Sequence, residues 1–408
     1  MKNIIVGQSG GPTAVINSSL AGVFAAARDK KIQNIYGMVN GIDGLLKGNF
    51  IDLKDYLKTK EDIALLKRTP SAILGSCRFK LPDMEKGRET YEKLFQILNE
   101  LEIGYFIYIG GNDSMDTILK LSRYAESIGS NIRFIGVPKT IDNDLAETDH
   151  TPGYGSAAKY VAASLKEIIR DSNVYDMKSV TVVEIMGRNA GWLTAAAGLA
   201  KDEDCPGPDL IYLPERTFEQ EEFLKDVDHL LKEKNTVVVA VSESLKDKNG
   251  VYLCDAMIKN AKEDSFGHKI LSGTALAVSE LVTTKLNVKS RGIIFNTLQR
   301  CATHLASLTD SNEAFLAGEE AVKAAVSGET GKMVILRRMK ENTYIMVPEL
   351  FAIEKVANEE KTVPDEYINS SGNGVTEAFL EYARPLIQGE LNPIMENGLP
   401  KHFVIKKS

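Results

Sequence analysis

The chain has 408 residues, and 49 Lys plus Arg against 56 Asp plus Glu leave a formal charge of −7. That length suffices for two or three domains with real cores, and 43% apolar with 26% charged residues excludes a disordered or collagen-like chain. The acidic balance argues against a dedicated nucleic-acid binder, which carries a basic surplus, but leaves room for a local basic pocket for a phosphorylated small molecule. Cys77, Cys205, Cys254 and Cys301 lie far apart, so neither a zinc knuckle nor a disulfide framework is expected. Met1-Lys2-Asn3 runs straight into an apolar strand without the layout of a signal peptide. No apolar run approaches the ~18–20 residues that cross a bilayer. The expectation is a soluble, reduced, cytoplasmic protein.

Short apolar runs alternate with helical stretches. Ile4-Ile5-Val6 leads through a Gly-rich turn into an alanine-rich segment from Ala14 to Lys30. Tyr105 to Ile109 precedes Gly110-Gly111 and a helical pattern from Met115 to Ile128, and Ile132 to Val137 precedes a polar loop. Val180 to Ile185 leads to Met186-Gly187-Arg188 and an alanine-rich helix from Ala190 to Ala200; Thr236 to Val241 leads to Ser242-Glu243-Ser244. Near-continuous apolar strands between helices predict mostly parallel sheets covered on both faces, a doubly wound α/β protein. The polar stretch Ala146–Pro152 reads as a crossing between two α/β halves. From about Met333 onward a closing strand and helices are expected.

In such sheets ligands bind where loops leave the carboxyl ends of strands, and the informative polar residues sit there. Gly7-Gln8-Ser9-Gly10-Gly11-Pro12-Thr13 lets backbone approach a phosphate at a helix N-terminus, although tight strand-to-helix turns also favour glycine. Gly110-Gly111-Asn112-Asp113-Ser114 repeats the arrangement, with Ser114 a good N-cap. Asp113 would repel a phosphate unless a metal or cation answers it, an effect of about 4 kcal/mol at ~4 Å and an effective dielectric near 20. Pro138-Lys139-Thr140-Ile141-Asp142-Asn143-Asp144 reads alone as an Asx-turn with solvated charges, or as a base, a metal site and a phosphate ligand in one loop. Arg188 after Gly187 offers a guanidinium fork suited to phosphate, or a solvent-facing arginine. Four such loops together point to Mg²⁺-assisted phosphoryl transfer.

Other features carry no function. Gly331-Lys332-Met333 lacks the spacing of a Walker loop. Gly153-Tyr154-Gly155-Ser156-Ala157-Ala158 imitates a dinucleotide fingerprint without a preceding strand. Histidines 150, 229, 268, 304 and 402 show no metal-ligand spacing, and Glu219 to Glu222 reads as a solvated helix face.

From the first strand to about Arg300 these loops resemble the phosphofructokinase family in order and spacing. The resemblance implies two doubly wound, Rossmann-like domains with the active site in the cleft between them: 1–150 for the phosphoryl donor, 151–300 for fructose 6-phosphate, and 301–408 packing back on both. It implies that Asp142 is the base for the sugar 1-hydroxyl, with Lys139, Thr140 and Arg188 beside it. Met186, Gly187, Arg188 and Glu243 would hold the sugar, and Arg291 and Arg300 would clamp its 6-phosphate, one of them borrowed from a neighbouring subunit in relatives. Leu74-Gly75-Ser76-Cys77-Arg78 is similar to the family's loop near the donor, which places Gly11, Arg78, Gly111, Asp113, Ser114 and Lys139 around it.

ATP-using members resemble G-G-D-G-S and P-G-T-I-D-N-D; Asp113 and Lys139 stand where those have glycines. The pair resembles the pyrophosphate-dependent branch: Asp113 repels the α-phosphate of ATP, and Lys139 compensates on a leaving phosphate without an adenosine anchor. Asn112 replaces the usual acid, so Asn112, Asp113 and Asp144 are the residues assigned to Mg²⁺. Ser179 and Thr297 replace an arginine and a histidine of the family's sugar-phosphate site. The implied reaction is reversible transfer from pyrophosphate to fructose 6-phosphate, giving fructose 1,6-bisphosphate and phosphate, in a homodimer or homotetramer. The alternatives are an ATP-dependent kinase of the same fold, a lipid or NAD kinase, and a catalytically silent sugar-phosphate sensor.

Overall fold

The computed structural model describes residues 2–256, 271–341 and 343–405. Its strands are β1 (Asn3–Gln8), β2 (Ile35–Met38), β3 (Phe50–Asp52), β4 (Ile103–Gly110), β5 (Arg133–Pro138), β6 (Ser179–Ile185), β7 (Leu210–Tyr212), β8 (Thr236–Ser242), β9 (Lys289–Ile294), β10 (Lys332–Arg338) and β11 (Met346–Ala352). The helices used below are α1 (Ile16–Asp29), α2 (Met84–Glu100), α3 (Asn112–Ser127), α4 (Tyr154–Ser172), α5 (Gln220–Glu233), α6 (Thr274–Leu286), α7 (Leu298–Cys301) and α8 (Leu308–Ser327).

Two sheets result. The first runs β11-β10-β5-β4-β1-β2-β3 and is parallel except for its outer strands β3 and β11; the second runs β7-β8-β6-β9 and is parallel throughout. The central strands are apolar on both faces because helices cover both sides. On the first sheet, Ile4, Val6, Ile107, Ile109, Ile135 and Val137 pack under α1 and α8, while Ile5, Phe106, Tyr108 and Phe134 face α2 and α3. On the second, Val180, Val182, Val237 and Val239 face α5 and α6, and Val183, Ile185, Val238 and Ala240 face α4.

The doubly wound pattern and the crossing at 146–152 are present. Three expectations need correction. The C-terminal stretch supplies β10, β11 and a further two-residue strand pair rather than one closing strand, and β10 pairs parallel with β5, extending the first sheet. The segment after Arg188 is a single α-turn, Trp192–Ala195, followed by a 3₁₀ stretch, Ala196–Ala200, because buried alanines pack it as a core plug rather than an amphipathic helix. Ser114 is not an N-cap: α3 begins at Asn112 with Gly111 capping it, and the buried Ser114 hydroxyl lies against Gly110.

Helices α1 and α8 cross at Gly22 and Gly318, where any Cβ would run into the Phe315 or Ser19 carbonyl oxygen. Asp310 of α8 caps α4 by accepting from the Gly153 and Ser156 amides, each at 2.8 Å. Those amides would otherwise have made the Gly153–Ala158 turn an anion cradle. Among the described residues no helix is long and apolar enough to cross a membrane.

Candidate active site

The carboxyl ends of β1, β4, β5, β6 and β8 open onto one cavity of about 580 Å³ between the sheets. Gly10 and Gly11 follow β1. Gly10 has φ +75°, and a Cβ there would press within 3.3 Å of Lys139 Nζ. Ser76 Oγ donates to the Gly10 carbonyl at 2.6 Å and Gly10 N donates to the Cys77 carbonyl at 3.2 Å, docking the loop that carries Arg78 onto the first glycine turn. Gly111 caps α3, so the free amides of that helix point into the same space.

Lys139 is buried, with 3% of its surface exposed, and Nζ donates to the Gly11 carbonyl at 2.7 Å. Burial lowers its pKa to about 8, and Asp142 and Asp144 only partly oppose this. The loop then turns on Asn143, held at φ 56°, a left-handed geometry that asparagine tolerates. Its Nδ2 donates to Tyr382 Oη at 2.9 Å and its Oδ1 accepts from Thr151 N at 3.1 Å. Asp142 N donates to Thr140 Oγ1 at 3.1 Å, which fixes the carboxylate on the cavity floor. Desolvation by the cleft walls raises Asp142, against the pull of Arg188, Lys139 and Arg300. An ordinary, weak carboxylate base is therefore not what the cleft holds. Burial and the neighbouring Asp142 charge raise Asp144 as well.

From the second sheet, Gly187 adopts φ +146° with the Ala190 carbonyl 2.7 Å from where a Cβ would sit. Ser242 and Ser244 hydroxyls donate to the Gly187 carbonyl at 3.1 and 2.7 Å, and Gly187 N donates to Glu243 Oε1 at 3.3 Å. Burial raises Glu243 to about 8, with Asp142 adding to the effect. Met186 N donates at 3.1 Å to Oε1 of Gln299, which precedes Arg300 on α7. Arg300 NH1 lies 3.1 Å from where a Cβ on Gly11 would stand, so this arginine spans toward the donor loop. Met186, Arg188, Glu243 and Arg300 all line the cavity with Gly11, Arg78, Gly111, Asp113, Ser114, Lys139, Thr140, Asp142 and Asp144.

Two expected residues do other work. Arg291 lies on β9 opposite Thr181, two residues into each strand and away from the carboxyl ends that open onto the cavity. It bonds Thr181 Oγ1 at 3.2 Å and Ser172 Oγ at 3.2 Å, and pairs with Asp171 at 3.3 Å. It does not line the cleft of its own chain. Asn112 reaches the cavity wall, but both ends of its amide are bonded to the backbone at Asn358 and Glu359.

Sequence reasoning missed Asn189, Asn358, Glu360 and Gln299. The first three line the cavity, and Asn189 Nδ2 donates to Glu360 Oε1 at 2.8 Å. Residues 358–360 follow no strand end and carry no glycine turn, so nothing local marked them. His150, read as a surface or core residue, is 1% exposed and sits between Asp149 Oδ1 at 2.9 Å and Glu313 Oε2 at 2.7 Å. His268 lies outside the described residues. Glu219 to Glu222 is exposed at the start of α5.

A phosphate cradle, a desolvated carboxylate and an arginine-bearing turn facing one another across two α/β layers define a phosphotransferase fold. Residues 3–325 match the phosphofructokinase family, and the chain belongs to it. It is 41% identical over 403 residues to a pyrophosphate–fructose 6-phosphate 1-phosphotransferase of Halomonas elongata, covering 98% of this chain and 95% of that one. Its likeness to the enzyme of the same name from Methylococcus capsulatus is 39% over 408 residues, covering 99% and 96%. The crystal structure of a pyrophosphate-dependent phosphofructokinase from Marinobacter aquaeolei superposes with a TM-score of 0.87 at 37% identity, covering 100% of this chain and 98% of that one.

Proposed function

We propose that this chain moves a phosphoryl group from pyrophosphate to the 1-hydroxyl of fructose 6-phosphate, giving fructose 1,6-bisphosphate and phosphate, reversibly. The observation that carries the reading is the presence of Asp113 and Lys139 in the same cavity as Asp142 and Arg188. The names of its relatives point the same way. The first sheet's loops take the donor, those of the second take the sugar phosphate, and 301–408 packs on both.

Asp142 accepts the proton of the sugar 1-hydroxyl as its oxygen attacks phosphorus. Its raised pKa makes it a stronger base than an exposed aspartate. Lys139 and Arg188 carry the negative charge that spreads over the transferring oxygens. Thr140 fixes the base, Arg78 and the Gly11, Gly111 and Ser114 backbone hold the donor, Met186, Gly187 and Glu243 orient the sugar, and Arg300 holds its 6-phosphate. Arg291 serves the neighbouring subunit's site in a homodimer or homotetramer.

The cavity lining carries five acidic and five basic side chains, and with Glu243 raised to about 8 by burial its positive excess is small. Two anionic substrates therefore bring an excess of negative charge that the protein alone does not answer. Asp144, raised by burial and then by the like-charged Asp142, fits a divalent cation that would relieve the repulsion. Among the described residues no group of three or more His, Cys, Asp or Glu forms a cage, which suits Mg²⁺ held largely by phosphate oxygens and water. Asp113 and Asp144 would hold it, and it would supply positive charge to the donor oxygens. Asn112, its amide engaged elsewhere, is not needed as a ligand.

A coupled assay with fructose 6-phosphate and either pyrophosphate or ATP tests the reading. Turnover with pyrophosphate and little with ATP is expected; the reverse rejects the donor assignment, and no turnover with either favours a silent sensor.

A further inference from the structure

Residues 358–363 cross the cleft as a strap that touches three active-site loops. Asn358 N donates to Asn112 Oδ1 at 2.6 Å, and Asn112 Nδ2 donates to the Glu359 carbonyl at 2.8 Å. Asn358 Nδ2 reaches Asp116 Oδ1 at 3.4 Å, so the strap's first residue lies over two successive turns of α3. Lys361 N donates to the Asp144 carbonyl at 2.8 Å, and its Nζ donates to the Thr148 and Asp149 carbonyls at 3.0 and 2.8 Å. Beyond Glu360 and its bond from Asn189, Trp192 Nε1 donates to the Lys361 carbonyl at 2.9 Å. Glu215 Oε1 then accepts from both Val363 N and Gly191 N, at 2.9 and 2.8 Å.

The anchor explains an anomaly of the donor loop. The strap requires a donor and an acceptor from one side chain at position 112. An amide supplies both, whereas an ionised carboxylate only accepts. An aspartate here would turn a negative oxygen onto the Glu359 carbonyl.

We propose that this strap, pinned by Asn112, selects the phosphoryl donor by length. It walls the outer side of the donor cradle along the first turns of α3, so that two linked phosphates fit and a nucleoside carried on them does not. The inference rests on pyrophosphate being the donor. Asn358 and Glu360 line the same cavity as Gly111, Asp113 and Lys139. Glu360 and Asp113 present carboxylates along that wall, which disfavour a longer polyanion. Asn112 is thus a positioning residue that acts through the strap.

The test compares wild type with Asn112→Asp and Asn358→Pro, measuring kcat and KM for pyrophosphate, ATP and fructose 6-phosphate. Asn358 has φ 68°, which proline cannot adopt, and proline also lacks the amide that donates to Asn112 Oδ1, so that variant breaks the strap from its own side while position 112 keeps its side chain. Both variants are expected to raise the ATP-to-pyrophosphate ratio of kcat/KM about tenfold, as for a loss near 1.4 kcal/mol. KM for fructose 6-phosphate should change less than the donor ratio in both, since the bonds lost at positions 112 and 358 reach α3 and not the Arg188 loop. An unchanged ratio in both overturns the proposal. A change in Asn112→Asp alone also overturns it, because Asn112 would then act on the donor directly. If Asn358→Pro fails to fold, Asn358→Ala takes its place, because alanine too disfavours positive φ. A wild type that prefers ATP instead rejects the donor assignment, which separates that failure from a failure of the strap.

Discussion

The Lys139 ammonium donates to the Gly11 carbonyl at 2.7 Å, joining the loops after β1 and β5 through a bond that depends on a buried charge. Burial brings that lysine from 10.5 down to about 8, so it is charged below that pH and neutral above it. On the proposed assignment, pyrophosphate binding needs the charged form. In the free enzyme, kcat/KM for pyrophosphate should fall as pH rises through about 8. Lys139→Arg keeps the charge, and its alkaline limb should move upward. The pH profiles of the two proteins check this.

Asp142→Ser removes the base while leaving the Arg188 and Arg300 contacts in place. Turnover should fall by about 10²–10⁴, the usual worth of a positioned general base. KM for fructose 6-phosphate should change only modestly. Near-normal turnover would reject the assignment of the base.

Replacing Asp113 and Lys139 together by glycine keeps the net charge and removes both polar side chains from the donor cradle. The double variant should lose pyrophosphate affinity and acquire measurable ATP turnover. Assays with each donor check it. If pyrophosphate kinetics stay at wild-type values, the pair does not read the donor.

His150 bonds Glu313 and Asp149 from a fully buried position. Burial alone would lower its pKa, but the two carboxylates outweigh it and raise the group from 6.5 to about 9. A raised folded-state pKa means stability that is full below pH ~6.5 and lost as pH rises through about 9. At ~1.4 kcal/mol per unit the contribution is roughly 3 kcal/mol at most. Lys139 and Lys361, both lowered from 10.5 to about 8 by burial, act in the opposite sense over a window from about 8 to 10.5 that overlaps the window of His150. The informative quantity is therefore the difference in melting temperature between wild type and His150→Gln, which should shrink between pH 6.5 and 9.5.

What could be read from the chain was what local pattern encodes. The long buried strands β1, β4, β5, β6 and β8 announce themselves as apolar runs, and the loops at their ends carry most of the residues that line the cavity. Strands β2, β3 and β7, of three or four residues, are too short to show a period. That Arg291 stands off its own chain's cleft while Arg300 lines it could not be read from a spacing of nine residues: one lies on strand β9, the other on the helix beyond it. The strap was invisible for a related reason. Its partners Asn112 and Asn358 are 246 residues apart, and no local signal registers such a contact.

Strand β10 joins the first sheet beside β5, so that layer draws on residues nearly 200 positions later in the chain. During synthesis the amino-terminal half must wait with the rim of β5 uncapped while the whole second sheet emerges from the ribosome. An exposed strand rim is a template for pairing with other chains. Nascent or truncated polypeptides ending before residue 332 will consequently aggregate more readily than the finished protein, even though every residue of the phosphate-handling loops is already present in them.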